Sequence, residues 1–287
     1  MTIEYERLKG RQFADLTYDL TDRDTILYAL GVGLGCDPVD KQQLRFVYEE
    51  ALAALPTMAV VLGHPGFWFK DPDTGVDWKR VLHGEQSLEI HRPLPTNGRI
   101  IGRTWIEEII DKGPGKGALI YWNRTAIDEE TGEPLCTMAS TTFCRGDGGF
   151  GGPSGPTKTP HVLPDRPCDS VCDLPTLPQA ALIYRLSGDY NPLHADPDVA
   201  QAGGFERPIL HGLATFGVAG HALLKELCAY DTQRFRKMDV RFSSPVYPGE
   251  TIRTEIWRDE PGVASFRCRV VERDAIVLNN GRFEYAA

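Results

Sequence analysis

The sequence predicts an α+β protein made from one unit used twice, and three observations carry that expectation. The stretch Ile26-Leu27-Tyr28-Ala29-Leu30-Gly31-Val32-Gly33 can be laid on Leu182-Ile183-Tyr184-Arg185-Leu186-Ser187-Gly188-Asp189 without a gap, and an internal repeat constrains architecture before any local assignment does. Each stretch is followed by a second helix start, at Leu55-Pro56-Thr57-Met58 and at Leu210-His211-Gly212-Leu213. Each then enters a series of strands through a turn, Pro95-Thr96-Asn97-Gly98 or Pro248-Gly249. Between the copies, Gly146 to Pro178 is rich in glycine and proline and lacks a convincing periodic run, as a connection between units does. The expectation is therefore a long helix packed on a curved antiparallel sheet in each copy. The N-terminal repeat covers 1–145, a linker 146–178, and the C-terminal repeat 179–287.

Taken in order, Asp22 or Asp24 can cap a helix running through Tyr28 to Gly31. Residues 34–41 form a loop, and Leu44 to Leu52 returns to a helical pattern around Phe46-Val47-Tyr48-Glu49. After the apolar run Met58 to Leu62, His64-Pro65-Gly66 signals a turn. Val81–Ile90, Ile100–Ile110, Ala118–Asp128 and Leu135–Cys144 read as strands, the last two joined by a hairpin at Glu129-Glu130-Thr131-Gly132. In the second copy, Asp196-Pro197 has the form of an N-cap followed by a first-turn proline, and an apolar helical run extends from Leu213 to Leu227. Phe235–Phe242, Thr251–Arg258, Ser265–Glu272 and Ala275–Tyr285 follow as strands.

Composition narrows the function classes. A chain of 287 residues with 41% hydrophobic and 25% charged content is long enough for a sizeable core and too apolar to be disordered. A net charge of −9 disfavours nucleic acid as a general partner while leaving room for a local basic patch. No run of 18 apolar residues occurs, and the N-terminus lacks the apolar core of a signal peptide. The last residues, Tyr285-Ala286-Ala287, are not a Ser-Lys-Leu peroxisomal signal. Seven cysteines without a Cys-x-x-Cys pair read as free thiols of a reducing compartment, so a cytoplasmic location is expected. Cys168, Cys172 and His161 are poorly spaced for zinc.

The chemistry-bearing stretch runs from Tyr184 to His221. Asp189, Asn191 and His194 bring an acid, an amide and an imidazole within six residues. Pro192 biases Asn191 away from helix, so the acid and imidazole sit on a bend that can turn both toward one point. Gly212 opens the following helix, where a backbone N–H at the positive helix end suits an oxygen gaining negative charge. In the register of the repeat Gly33 stands opposite Asp189 and Pro38 opposite His194. One catalytic site per chain, in the C-terminal copy, follows.

The string Tyr184-Arg185-Leu186-Ser187-Gly188-Asp189-Tyr190-Asn191-Pro192-Leu193-His194, with Leu210-His211-Gly212-Leu213 downstream, closely resembles the hydratase 2 motif of R-specific 2-enoyl-CoA hydratases, the MaoC-like dehydratases. Further pieces extend the resemblance over nearly the full length, to the two-repeat form found as the hydratase 2 unit of peroxisomal multifunctional enzyme type 2. They are Ile26 to Gly33, Phe46-Val47-Tyr48-Glu49, Leu55-Pro56-Thr57, His83-Gly84-Glu85-Gln86 and Gly148-Gly149-Phe150-Gly151-Gly152. The resemblance implies a double hot-dog fold and a homodimer. It also implies syn addition of water to a trans-2-enoyl-CoA, giving the (3R)-3-hydroxyacyl-CoA, with the acyl chain housed in the N-terminal repeat. No metal or redox cofactor is called for, because the CoA thioester is itself the substrate.

On this reading Asp189 and His194 are the acid/base pair, the Gly212 N–H is the oxyanion donor, and the Asn191 amide orients the water. His211 packs or orients the Gly212 turn, His83 is structural, and Glu49 supports a helix or an interface. Arg236, Lys237 and Arg241 are the candidates for the CoA phosphates, although a basic cluster before a strand is commonly a solvated edge. Other readings are dehydration of a 3-hydroxyacyl thioester, a branched or dicarboxylic acyl-CoA substrate, a hot-dog thioesterase, or a thioester-binding protein without activity.

Overall fold

The computed structural model describes residues 2–287. Ten strands form one antiparallel sheet: β1 (Leu16–Leu20), β2 (Val81–Ile90), β3 (Gly98–Asp111), β4 (Ala118–Asp128), β5 (Pro134–Cys144), β6 (Ser170–Pro175), β7 (Phe235–Phe242), β8 (Thr251–Glu260), β9 (Val263–Val270) and β10 (Ala275–Tyr285). Their order across the sheet is β1-β3-β4-β5-β2-β7-β10-β9-β8-β6. Five strands come from each half in the same internal order, reversed about the centre. The halves meet where β2 pairs with β7, Glu85 opposite Arg241 and Leu88 opposite Met238. A strand pair at the centre has no free edge, so the repeat is welded through backbone hydrogen bonds as well as through side chains.

Six helices accompany the sheet: α1 (Tyr5–Lys9), α2 (Asp22–Gly31), α3 (Lys41–Leu44), α4 (Ala180–Tyr184), α5 (Pro197–Ala202) and α6 (Gly212–Cys228). α2 is capped by Thr21 rather than by an aspartate: its hydroxyl accepts from the Asp24 N–H while the Asp24 carboxylate reaches back, a reciprocal capping box. α5 starts as expected, with the Asp196 carboxylate accepting from the Asp198 and Val199 N–H groups and Pro197 in the first turn.

α6 is the long central helix of the C-terminal half and is apolar nearly all round, as a helix enclosed by protein must be. Glycines let it approach the other half. A Cβ on Gly217 would lie 2.6 Å from a Val32 methyl carbon, and one on Gly220 would lie 2.3 Å from the Thr57 methyl. One core cluster therefore runs through both halves, and a second, smaller one lies in the N-terminal half around Trp68, Ile109, Ile120 and Trp122. No helix is long and apolar enough to cross a membrane among the described residues.

The structure departs from the sequence expectations in four places. The N-terminal half has no long helix: its counterpart of α6 is a six-residue 3₁₀ turn, Pro56–Val61. The chain leaves it at Gly63 (φ +57), whose backbone packs directly on Gly102 of β3, ahead of the His64-Pro65-Gly66 turn. The helix expected from Leu44 to Leu52 does not form: one helical turn, Lys41–Leu44, precedes that stretch, and turns follow that bury Phe46. β1 and β6 were not expected; both are short edge strands with little buried surface. β6 lies inside the stretch read as linker, pairing Ser170 to Pro175 with Ile256 to Thr251. The glycine run at 148–152 has a structural anchor: the Asp111 carboxylate accepts from the Gly113, Gly149 and Gly151 N–H groups at 2.7–2.8 Å.

Candidate active site

α4 ends in a single 3₁₀ turn, Arg185–Ser187, and Gly188 (φ +119) breaks it, a conformation that glycine adopts without strain. The Asp189 carboxylate then accepts from the Asn191 N–H at 3.1 Å, and the Asn191 side-chain oxygen accepts from the Leu193 N–H at 3.2 Å. These two turns, closed by the 3₁₀ turn Pro192–His194, swing His194 back over Asp189. Asn191 thus serves first as the cap of that turn. Its amide nitrogen has no hydrogen-bond partner among the described residues.

His194 is 8% exposed and its Nδ1 lies 2.9 Å from the Ile209 carbonyl oxygen. A carbonyl only accepts, so Nδ1 carries the proton and Nε2 presents a lone pair. Burial pushes its pKa down, and the Ile209 carbonyl and the Asp189 charge offset this only in part. His211 is 1% exposed and stacks on His194 with ring centroids 3.7 Å apart; its Nε2–H donates to the Asp189 main-chain carbonyl at 3.1 Å. Burial, with His194 as a second cause, pushes the His211 pKa down to about 4. Two neutral imidazoles therefore stack behind an exposed carboxylate. The ligating atoms of Asp189, His194 and His211 lie within 4.8 Å of one another, the one group of this kind among the described residues. His161, by contrast, bonds the Ser265 hydroxyl at 2.7 Å and stands apart from any such group.

Gly212 follows His211 directly as the first residue of α6, and among the described residues nothing accepts from its N–H. A Cβ there would meet the Phe242 ring at 3.3 Å, and the same ring lies 4.6 Å from His83. His83 was expected to be structural because it lies in the copy without the acid/base pair. The β2–β7 seam carries it across to the site, close enough for the Asp189 charge to act on its ring. The only signal for this in the sequence was the His83-Gly84-Glu85-Gln86 match.

The basic residues expected to hold the CoA phosphates are not gathered here. Phe242 faces α6, so Lys237 and Arg241, odd numbers of residues away on β7, project from the opposite face of the sheet. There Arg241 pairs with Glu85 at 3.1 Å and Lys237 with Asp239 at 3.6 Å. Arg236 is exposed about 20 Å along the strand from Phe242. Arg185 is near enough to His211 for its charge to act on that ring, and its guanidinium lies 4.9 Å from the centre of the Tyr190 ring. Glu49 is exposed on the turns after α3, not on a helix.

Two family models divide the chain between them: the MFE-2 hydratase 2 N-terminal domain matches residues 18–146 and the MaoC like domain matches residues 160–280. Over 281 residues the chain is 42% identical to 3-hydroxyacyl-thioester dehydratase Y of Mycobacterium tuberculosis, covering 95% of each protein. The chain belongs to the MaoC-like dehydratase family. Within that family it stands with the enoyl-CoA hydratase 2 proteins: it is 38% identical to the peroxisomal enoyl-CoA hydratase 2 of Arabidopsis thaliana over 94% of this chain and 92% of that one. A crystal structure of a MaoC-like dehydratase from Phytophthora capsici superposes with a TM-score of 0.85 at 36% identity, covering 98% of both chains. A Mycobacterium tuberculosis protein described as having a double hotdog fold superposes at 0.59 with 16% identity over 99% and 98%, a likeness of fold alone.

The fold is thus the double hot-dog of MaoC-like dehydratases, with one long helix instead of two. The cytoplasmic location expected from the sequence is corrected by these relatives: those from Arabidopsis thaliana, Mus musculus, Neurospora crassa and Drosophila melanogaster carry peroxisomal names.

Proposed function

We propose that this MaoC-like dehydratase catalyses the reversible syn addition of water to trans-2-enoyl-CoA, giving (3R)-3-hydroxyacyl-CoA. Hydratase/dehydratase chemistry on an acyl-CoA thioester is the activity of the enoyl-CoA hydratase 2 type to which the chain belongs. The stereochemistry, the residue roles and the division of labour between repeats are our reading. The observation that carries it is the His194 imidazole, neutral and with Nε2 bare, set beside the Asp189 carboxylate and one residue short of the Gly212 helix start through its stacked neighbour His211.

On this reading a water is held between Asp189 and His194 Nε2. Its oxygen attacks C3 as one proton passes to His194, the thioester oxygen gathers charge against the Gly212 N–H, and His194 returns the proton to C2 on the same face. Atoms and charge balance with a single water, and the Asp189 carboxylate orients that water and stabilises the imidazolium. A positioned acid/base group of this kind contributes ~10²–10⁴ in rate and an oxyanion donor ~10²–10³.

The N-terminal repeat, 1–145, serves as the acyl chamber, and the C-terminal repeat, 179–287, carries the chemistry. A narrow junction between the halves supports this, lined by Tyr18, Asp24, Leu27, Met58 and Val61 of the first half and by Leu186 and Ser187, which lead to Asp189. Arg185 on Tyr190 is the basic group placed to meet the CoA end. Pairing of two chains is part of the reading and is read by light scattering. The activity itself is tested with crotonyl-CoA: loss of enone absorbance without free thiol, yielding the 3R product on chiral analysis, is the expected result. Release of free thiol instead would make the protein a thioesterase.

A further inference from the structure

Three of the groups around the catalytic pair come from one short stretch, Ile209 to Gly212. The Ile209 carbonyl holds His194 Nδ1–H, His211 stacks on His194, and Gly212 opens α6. Before Gly212 this stretch belongs to no helix or strand. It is fastened instead to the turn between β7 and β8. The Leu210 N–H donates to the Val246 carbonyl at 2.7 Å, and the Arg207 guanidinium lies 4.9 Å from the centre of the Tyr247 ring. Leu210 and Val246 are both buried.

An ion pair lies at the centre of that turn. Glu250, 5% exposed, accepts from the Tyr247 N–H at 2.7 Å and from Arg273 Nη2–H at 2.9 Å, and Arg273 Nε–H donates to its other oxygen. Arg273 Nη2–H also donates to the Pro245 carbonyl at 2.8 Å, and the guanidinium lies 5.2 Å from the centre of the Tyr247 ring. Arg273 stands between β9 and β10, so the pair ties two strand connections together. A pair with its carboxylate buried adds little net stability, because desolvation offsets most of the attraction; what it can fix is one arrangement of the groups around it. The arrangement held here is that of residues 245–250, the support of the Ile209–Gly212 stretch.

We propose that Arg273 and Glu250 are positioning residues for the hydration step. They hold the turn 245–250, the turn holds Arg207 and Leu210, and Ile209 then keeps the His194 proton on Nδ1, leaving Nε2 bare. The nitrogen that a histidine leaves bare is set by the hydrogen bond its other nitrogen makes, so a shift of the Ile209 carbonyl is read at His194 as a change of tautomer. Such a shift is felt in rate more than in binding, because reacting groups tolerate little misplacement. This inference rests on the hydratase reading.

The test follows crotonyl-CoA hydration and the His194 tautomer in Arg273→Met, Arg273→Met/Glu250→Gln and Arg273→Lys. The tautomer is read by nitrogen NMR of the full chain carrying labelled histidine, with His194→Gln identifying the signals. Arg273→Met leaves the Glu250 carboxylate buried and unpaired, whereas the double variant removes both charges. In these two, kcat is expected to fall at least about tenfold with KM within about threefold of wild type, and the Nε2–H form of His194 to appear. Arg273→Lys keeps the charge without the two-pronged geometry and is expected to recover part of the rate. It carries the comparison should the other two fail to fold. A kcat within about threefold of wild type in every folded variant, or a loss of kcat with the Nδ1–H form intact, would overturn the proposal and leave the pair as support of its turn alone. Absence of hydration by the wild type would overturn the hydratase reading, and this inference with it.

Discussion

Burial holds the His194 imidazole neutral, and the Ile209 carbonyl decides which of its nitrogens is bare. Replacing either member of the pair while keeping its shape isolates the proton chemistry. Asp189→Asn and His194→Gln are each expected to lower kcat by at least ~10². Because both act on one water, the double variant is expected to lose far less than the product of the singles; multiplicative losses in steady-state assays would show two independent groups. The pH profile follows from the sign of the shift. A base with a depressed pKa is unprotonated at neutral pH and above, and is lost only as pH falls through the depressed value. The acid limb of kcat/KM should therefore lie below the ordinary histidine value of about 6.5, with one proton taken up, and should be absent in His194→Gln. An acid limb above that value would assign it to another group. His211 acts through its neighbours: His211→Phe keeps the stack on His194 and removes the bond to the Asp189 carbonyl. A drop in kcat of ~10-fold or more with KM little changed is expected, since small misplacements of reacting groups have effects of that order. An equal fall in stability and in KM would reduce His211 to packing.

At the scale of elements, α6 joins the two halves because two of its positions lack side chains. Gly220→Ala sets two effects against each other. Alanine improves helix propensity by ~1 kcal/mol, while its Cβ would overlap the Thr57 methyl, and overpacking a tight core costs ~1–3 kcal/mol. The clash is expected to win, lowering the urea midpoint. Thr57→Ser removes the offending methyl, so the double variant Gly220→Ala/Thr57→Ser should recover much of the loss. An unaltered midpoint in the single variant would show that the seam between halves is looser than the contacts suggest. The short 3₁₀ turn that replaces a second long helix explains why this seam exists: with Pro56–Val61 ending at Gly63, α6 packs on Thr57 rather than alongside an equal partner.

At the scale of the whole molecule, the two halves divide the work if the narrow junction between them takes the acyl chain. Val61 lines it, whereas Val60 is 1% exposed in the core, its carbonyl bonded to Arg124. Val61→Trp is therefore expected to lower the ratio of long-chain to short-chain kcat/KM by at least about tenfold, because a long chain gains ~0.8 kcal/mol per buried methylene and a four-carbon chain gains little there. Val60→Trp should act instead on stability, read as a lower melting temperature. Equal loss of both chain lengths in a folded Val61→Trp protein would place the chain elsewhere.

The repeat, eight of the ten strands, the start of α6 and the Asp189–His194 bend could be read from the sequence because each depends on neighbours in the chain: alternation, turn residues, a proline after Asn191, a contiguous motif. β1 and β6 escaped notice because short edge strands bury too little to show a period. The end of the first copy's helix was signalled at His64-Pro65-Gly66, but the packing of Gly63 on Gly102, which holds it there, spans residues far apart. Compartment left no mark that residue chemistry could decide. Other features belong to the tertiary structure alone. Pairing of β2 with β7 brings His83 to a site coded more than a hundred residues later, and strand parity turns Lys237 and Arg241 away from it. Folding also buries Arg124 without a counter-charge and stacks His211 on His194, fixing tautomers and charge states. A sequence determines which groups are available and what local bends they favour; desolvation and the meeting of distant strands decide which of them hold a proton and which face one another.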